Sequence, residues 1–126
     1  MARTSTYLNF DGTTEEAFNF YRAVFGTEFA GPIQRMSDAP PAPGRPALGA
    51  AEKKLVMHVE LPITGWHVLM GTDAVESMGH TVTVGTNVSL MLEPDTRAEA
   101  KRLFEALGRG GRVTMPLQEM FWGAYY

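Results

Sequence analysis

The feature that most constrains the fold is a helix pattern that occurs twice along the chain. In the first half, apolar residues at i, i+3, i+4 and i+7 predict one buried helical face: Ala17, Phe20, Tyr21 and Val24. The same spacing recurs in the second half at Ala100, Leu103, Phe104 and Leu107. This recurrence predicts two related modules within one chain.

The starts and ends of the two predicted helices repeat as well. Each helix is preceded by a threonine with a glutamate three residues later, and each side chain of such a capping box accepts a hydrogen bond from the other residue's backbone N–H. Each helix is followed by a glycine, which favours the conformation that ends a helix. These positions are Thr13 with Glu16, Thr96 with Glu99, Gly26 and Gly108.

Alternating apolar and polar residues predict strands around both helices. The strands before the helices are marked by Thr6, Leu8 and Phe10 in the first half and by Val88, Leu90 and Leu92 in the second. The candidate strands after the helices are "EFAGPIQRM", "KLVMHVELPI" and "WHVLMGTD" in the first half and "GRVTMPLQEM" and "FWGAYY" in the second. The predicted fold is a single α+β domain with a βαβββ module over about 4–73, a linker over about 74–86 and a βαββ module over about 87–126.

Composition excludes several classes of function. The chain has 126 residues, a formal net charge of −3 and scattered basic residues, so nothing favours a nucleic-acid or membrane partner. It has no cysteine, which removes disulfides and thiolate metal sites. The N-terminal "MARTSTYLNF" lacks the apolar core of a signal peptide, and a cytoplasmic location is expected.

Three runs of the sequence together resemble a known family: "YLNFDGTTEEAFNFYRAVFG", "MHVELPITGWHVLMGTD" and "GGRVTMPLQEMFWGAYY". They resemble the PhnB-like branch of the vicinal-oxygen-chelate superfamily, which also contains glyoxalases, extradiol dioxygenases and bleomycin-resistance proteins. The resemblance implies two βαβββ modules whose sheets curl around a cavity, usually within a homodimer. It also implies a last strand after Tyr126 that the second module lacks here, so that a further tail or a partner subunit would complete the sheet.

The resemblance also bears on metal binding. Metal-dependent relatives place one ligand, mostly His or Glu, on each of four strands. Three of the corresponding positions fall within 5–7 and 70–72 and near Asn87, and none offers a His or a carboxylate, although tyrosine occasionally serves as a ligand. The fourth position belongs on the strand after Tyr126. We therefore expect no metal at the usual place. The sequence has no fingerprint for a methyl donor either, and we expect no cofactor.

The stretch "LVMHVEL" contains the strongest candidate site residues, His58 and Glu60. Alternation places Val56, His58 and Glu60 on one face of the predicted strand, toward the cavity or toward solvent. A cavity histidine beside a carboxylate can act as a general base near neutral pH. The pair is therefore a candidate catalytic couple, a lining of the pocket, or a pair of ordinary polar residues on a strand.

Other side chains are weaker candidates. The predicted ligand-binding residues are Tyr7, His58, Met70, Asn87, Met91, Gln118 and Trp122, because apolar pockets with a few polar groups hold most small ligands. We expect His67 to be an exposed neighbour of a turn, His80 to lie in a flexible linker, and Asp73 to bind backbone N–H groups of a turn. The proline-rich segment 37–54 is a lid, an arm on a partner subunit or a disordered loop.

Two functions remain open from the sequence. One is a metal-free protein that binds a small organic molecule between its sheets. The other is a metal-dependent lyase, isomerase or dioxygenase with a displaced site that uses His58 and Glu60. The missing ligand positions favour binding.

Overall fold

The computed structural model describes residues 1–40, 43–44 and 47–126. Their contacts divide the chain into two units, Met1–Ser89 and Leu90–Tyr126. In the first unit the described strands are β1 (Thr6–Phe10), β2 (Gln34–Arg35), β3 (Val56–Pro62) and β4 (Val68–Asp73). Its helices are α1 (Thr14–Phe25) and α2 (Ala50–Lys53), with 3₁₀ turns at Met36–Asp38, Thr64–Trp66 and Glu76–Met78. The second unit contains helix α3 (Arg97–Gly108).

The described strands of the first unit form one mixed sheet in the order β1-β4-β3-β2. β1 runs parallel to β4, whereas β3 is antiparallel to both of its neighbours. The connection through α1 takes the chain from β1, at one edge of the sheet, to β2, at the opposite edge. This crossover allows β4 to pair with β1 in the parallel direction. The element order is the βαβββ order that the sequence predicts for the first half.

Helix α1 packs on one face of this sheet through Phe18, which is fully buried. A Cβ added at Gly71 in β4 would lie 2.4 Å from the Phe18 ring, so the glycine leaves room for that ring. The predicted helical face is wrong at one position, because Phe18 is buried and Phe20 is exposed. The buried stripe also includes Val24 and begins at Thr14, four residues before Phe18.

The two helix starts differ from each other. Thr96 accepts a hydrogen bond from the Glu99 backbone N–H at 3.1 Å, as predicted for α3. The Glu99 carboxylate, however, accepts from Arg102 at 2.6 and 2.9 Å, and so the other half of this box is replaced by an ion pair. The predicted box at Thr13 is wrong, because the Thr13 side chain makes no capping hydrogen bond.

The helix ends agree with the prediction in α1 and differ in α3. Gly26 has a φ of 65° and its N–H donates to the Arg22 carbonyl, which is the expected glycine cap. Gly108 is instead the last residue of α3, and Arg109 follows it in an extended conformation. The chain turns at Gly110, where φ is 75°.

The second unit holds α3 against a hairpin that spans residues 118–126. Within the hairpin, Gln118 and Tyr126 exchange backbone hydrogen bonds at 2.8 and 2.9 Å. Arg97, the first residue of α3, forms an ion pair with Glu119 and lies over the Tyr125 ring, 4.7 Å from its centroid. The buried face of α3 includes Leu103, as the repeat predicts.

The strands predicted for the second half are not formed. Among the described residues, the chain after Asp73 has a single β-bridge, between Glu119 and Tyr125, and no longer strand. Val88 and Leu90, which mark the predicted strand before α3, are 81% and 49% exposed. Their alternation therefore has no sheet to pack against, and a strand without a partner is not stable in water.

The longest described helices have 12 residues each, whereas a helix needs about 20 apolar residues to span a bilayer. No described helix is long and apolar enough for that.

Candidate functional site

One face of the first unit's sheet carries a row of side chains from three strands. Tyr7 in β1 and Glu60 in β3 both pair with Met70 in β4, which lies between them. Directly paired residues project to the same face of a sheet. We call this side the open face, because α1 covers the opposite side, where Gly71 meets the Phe18 ring.

A β-bulge shapes the part of β3 next to this row. Gln34 pairs with His58, but Arg35 pairs with Val56, so that β3 has one extra residue, Met57. The bulge reverses the alternation, and Val56 is 1% exposed. The prediction that Val56 shares a face with His58 is therefore wrong, because simple alternation does not account for the extra residue.

Tyr7, His58 and Glu60 form a hydrogen-bonded group on the open face, which we call the polar triad. The Tyr7 hydroxyl lies 3.1 Å from Nδ1 of His58, and Nε2 of His58 lies 3.0 Å from Glu60. The tyrosine and imidazole rings are 5.7 Å apart and tilted by 41°. The structure thus brings together three of the predicted site residues, with Met70 between Tyr7 and Glu60 in the sheet.

Charge around the polar triad is balanced locally. Arg3 donates to the second carboxylate oxygen of Glu60 at 3.4 Å. The hydrogen bond from His58, together with the positive charge of Arg3, lowers the pKa of Glu60 below its ordinary value. The His58 and Glu60 side chains are 29% and 28% exposed, so the group remains accessible from solvent.

A pocket of about 1200 Å³ adjoins the polar triad on the same unit. The sheet contributes Asn9, Met57 and Thr72, and the segment after β4 contributes Met78 and His80. Asn9 pairs with Thr72 and therefore shares the open face with Tyr7, two residues before it in β1. The polar triad lies outside the pocket lining, and the two are adjacent on the open face.

Sequence reasoning missed this pocket. Much of its lining comes from irregular segments, which have no hydrophobic periodicity from which their path could be predicted. His80 was expected in a flexible linker, but its backbone N–H donates to the Val75 carbonyl at 3.1 Å and its side chain lines the pocket. The three methionines of the lining are Met36, Met57 and Met78.

Asp73 is the most buried acidic residue described, with 3% exposure. It accepts hydrogen bonds from the backbone N–H and the hydroxyl of Thr14 and from the backbone N–H of Val56. Asp73 therefore has a structural role, as predicted, but the turn predicted as its partner is wrong. Its partners are the start of α1 and the start of β3, and not the turn that follows β4.

His67 also differs from its prediction. Its Nε2 lies 2.8 Å from the Thr6 hydroxyl, and the side chain is part-buried. The prediction that His67 is an exposed neighbour of a turn is therefore wrong, because β1 lies next to β4 and places Thr6 within reach of the ring.

The predicted lid or arm over 37–54 falls partly outside the described residues. Its described parts include the 3₁₀ turn at 36–38 and helix α2. In α2, Glu52 accepts from the Ser77 hydroxyl and from the Gly49 N–H, and these bonds lower the pKa of Glu52. The segment is thereby linked to the 3₁₀ turn after β4.

The other predicted ligand-binding residues lie outside the polar triad. Asn87 is exposed in the first unit. In the second unit, Met91 is 67% exposed, and Gln118 and Trp122 lie in the hairpin. Trp122 packs edge-on against Phe121, 4.9 Å between ring centroids. Nothing in these local contacts assigns a ligand to them.

The side chains do not fit the metal site of the metal-dependent relatives. Residues 1–40, 43–44 and 47–126 contain no group of three His, Cys, Asp or Glu side chains that could hold a metal ion. On the open face, both ring nitrogens of His58 are already hydrogen-bonded, and so are both carboxylate oxygens of Glu60. A metal would have to displace these contacts, and the described residues offer no third His, Cys, Asp or Glu beside them.

Comparison with known proteins identifies relatives over nearly the whole chain. The curated protein YjdN from Escherichia coli K12 is 29% identical over 122 residues, which cover 94% of this chain and 80% of YjdN. The crystal structure of protein PA1353 from Pseudomonas aeruginosa matches 97% of this chain and 84% of its own, with 32% identity and a TM-score of 0.77. A PhnB protein from Bacillus cereus, described as a candidate 3-demethylubiquinone-9 3-methyltransferase, matches 96% of this chain and 84% of its own, with 26% identity and a TM-score of 0.70.

A family model described as 3-demethylubiquinone-9 3-methyltransferase matches residues 2–123. The match includes every described strand of the sheet and the whole polar triad. On this match and on the two solved structures, the chain belongs to the PhnB-like family of the vicinal-oxygen-chelate superfamily.

Proposed function

We propose that this protein binds a small organic molecule on the open face of its first unit, without the metal site of the metal-dependent relatives. The observation that carries the proposal is the polar triad, in which Tyr7, His58 and Glu60 meet on an accessible sheet face. The adjoining pocket supplies volume for an apolar part of the ligand. Apolar volume beside a few fixed polar groups is typical of small-molecule sites.

The occupied hydrogen-bonding atoms of the triad support binding over metal-dependent catalysis. A ligand can contact the Tyr7 hydroxyl, which is on a side chain 48% exposed, without breaking any contact of His58 or Glu60. A metal ion would need those same atoms.

Methyl transfer, which the family description names, is not our proposal for this chain. A methyl-transfer enzyme must hold its methyl donor, and the sequence has no glycine-rich fingerprint for a nucleotide-containing donor. Family membership alone does not assign chemistry, because one fold serves many activities.

A second candidate is proton transfer at the same triad. The 3.0 Å contact between His58 and Glu60 has the arrangement of a general base with an orienting carboxylate. In this function the Tyr7 hydroxyl takes a proton from a bound substrate and passes its own proton to Nδ1 of His58, and Glu60 stabilises the charged ring. Both candidate functions use the same open face, and only detection of substrate turnover distinguishes catalysis from binding.

We also propose that the second half completes a second module within a homodimer. Support comes from the repeated helix α3 with its Thr96 cap and from apolar side chains of the second unit that are exposed in the monomer. Among them, Phe121 is 96% exposed and Trp122 is 56% exposed. A two-fold dimer is the commonest closed assembly and would cover such side chains.

The proposed ligand site can be tested with a fragment library observed by NMR. Methionines carry a ¹³C methyl label, and the Met70 signal is assigned from a Met70→Leu variant. We expect hits that perturb Met70 and that weaken at least about fivefold in Tyr7→Phe, the loss of roughly one hydrogen bond. A Phe20→Ser variant, altered on α1 at an exposed position, is the matched control and should bind as the wild type does. Hits that leave the Met70 signal unchanged, or whose affinity changes equally in Tyr7→Phe and in Phe20→Ser, would contradict the proposal.

A further inference from the structure

We infer that Glu60 fixes the proton positions of the polar triad so that the free side of the Tyr7 hydroxyl accepts a hydrogen bond, and that the site therefore selects ligands that present a hydrogen-bond donor, such as a hydroxyl. The inference rests on the proposed function, because it names the ligand class of the same site. Glu60 acts here as a positioning residue, through His58.

The first step is the proton on His58. Glu60 is held as a carboxylate by His58 and Arg3, and a carboxylate can only accept hydrogen bonds. Nε2 of His58, 3.0 Å away, must therefore be the donor. The opposite tautomer would place a nitrogen lone pair against the carboxylate, which is repulsive.

The second step is the proton on Tyr7. In a neutral imidazole with the proton on Nε2, Nδ1 has only a lone pair. The Tyr7 hydroxyl, 3.1 Å from Nδ1, must then donate its one proton to the ring. The outward side of the Tyr7 oxygen is left with lone pairs alone, and it can bind a donor but not an acceptor.

The described contacts around the polar triad agree with this order. They include Arg3, which contacts Glu60, Gln34, which pairs with His58 from β2, and Met70 in the neighbouring strand. Arg3 is cationic and strengthens the ionised state of Glu60. The amide of Gln34 is neutral and the thioether of Met70 has no proton to donate.

Protonation of the ring would change the selection. A doubly protonated His58 donates from both nitrogens, so that Tyr7 accepts from Nδ1 and is free to donate outward. The preference for a hydroxyl donor is therefore a property of the neutral ring and weakens when His58 becomes charged.

The proton positions can be measured directly by long-range ¹H–¹⁵N NMR of the histidine rings. With His58 neutral, we expect the proton on Nε2 in the wild type and in Tyr7→Phe. In Glu60→Leu, which removes the acceptor, the tautomer with the proton on Nδ1 should be more populated than in the wild type. A neutral His58 with its proton on Nδ1 in the wild type would overturn the inference.

The selection can be measured with two small probes, phenol and anisole, titrated against the Met70 methyl signal. The two share a ring, but only phenol has a donor. We expect the ratio of their affinities to favour phenol about fivefold more in the wild type than in Tyr7→Phe, the effect of one net hydrogen bond. The backbone amide spectrum of each variant verifies that it is folded.

The outcomes separate the inference from the proposed function. Equal binding ratios in the wild type and in Tyr7→Phe, with both probes shifting Met70, would overturn the donor selection and leave the ligand site standing. Absence of any shift at Met70 with either probe would overturn both.

Discussion

Asp73 caps helix α1 from the neighbouring strand β4, accepting from the Thr14 backbone N–H at 3.1 Å and from the Thr14 hydroxyl at 2.7 Å. Its other oxygen accepts from the Val56 N–H at 2.8 Å. One buried carboxylate thus connects the start of α1, the start of β3 and the end of β4. The negative charge also lies at the helix N-terminus, where the helix dipole favours it.

Asp73→Asn should destabilise the protein strongly. The amide keeps one acceptor oxygen and turns an N–H₂ group toward at least one of the three donors, which leaves a buried N–H unpaired. We expect the free energy of unfolding to fall by about 2 kcal/mol or more. Urea denaturation measures the change. Asp11→Asn, at an exposed position in the β1–α1 connection, is the control and should be near neutral. Equal stability of the two variants would mean that Asp73 is not the cap.

Gly71→Ala should also destabilise, through overpacking. The new methyl carbon would lie 2.4 and 2.8 Å from two atoms of the Phe18 ring and 3.0 Å from the Thr14 methyl. Overpacking of this kind costs about 1–3 kcal/mol. Gly31→Ala is the matched control, because a Cβ there meets nothing within 4 Å. Thermal unfolding of both variants tests the prediction, which fails if the two have the same melting temperature.

Glu15 should make the stability of the first unit depend on pH. Arg35 donates to both oxygens of Glu15, at 2.7 and 3.1 Å, and this hydrogen bonding lowers the pKa of the carboxyl below 4.5. A lowered pKa in the folded state contributes stability that is present above about pH 4.5 and is lost as the pH falls through the folded value. The pair is partly exposed, so we expect at most about 1 kcal/mol.

The difference in unfolding free energy between the wild type and Glu15→Gln measures this contribution. It should be positive at pH 7 and shrink steadily below pH 4.5. Glu16→Gln lies in the same helical turn and removes a similar charge from the helix dipole, so it serves as the control. If both variants show the same pH profile, the effect belongs to the helix dipole and not to Arg35.

Elemental analysis of untagged protein, prepared without chelators, should find zinc, nickel, manganese and iron each well below about 0.1 per chain. The reason is that the atoms of His58 and Glu60 that would bind a metal are already hydrogen-bonded, and that the described residues place no third His, Cys, Asp or Glu beside them. A ratio near one that falls in His58→Ala would instead place a metal at the triad and favour the metal-dependent alternative.

The sequence predicts three strands of the first unit and the long helix of each unit well. Period-two alternation locates β1, β3 and β4, and the period of 3.6 locates α1 and α3. The proximity of His58 and Glu60 also follows from alternation, because residues two apart on a strand share a face. Tyr7 joins them only through the pairing of β1 with β4, which no local pattern encodes.

The errors arise where a distant residue competes with a local rule. Thr13 has the sequence of a cap, but Asp73 reaches the helix start from β4 and binds Thr14 instead. Phe20 fits the helical spacing as well as Phe18 does, and the space above Gly71 selects Phe18. The bulge at Met57 likewise depends on how β2 pairs with β3.

The parallel pairing of β1 with β4 has a consequence for synthesis of the chain. Thr6 meets Leu69 and Phe10 meets Asp73, so the first strand has no hydrogen-bonding neighbour in the sheet until the last one has left the ribosome. Phe18 also cannot pack until β4 has been synthesised, because the sheet face that it contacts contains Gly71. Contacts between such distant residues slow folding. The segment that contains α1 therefore emerges with its apolar helix face uncovered until residue 73 has been synthesised.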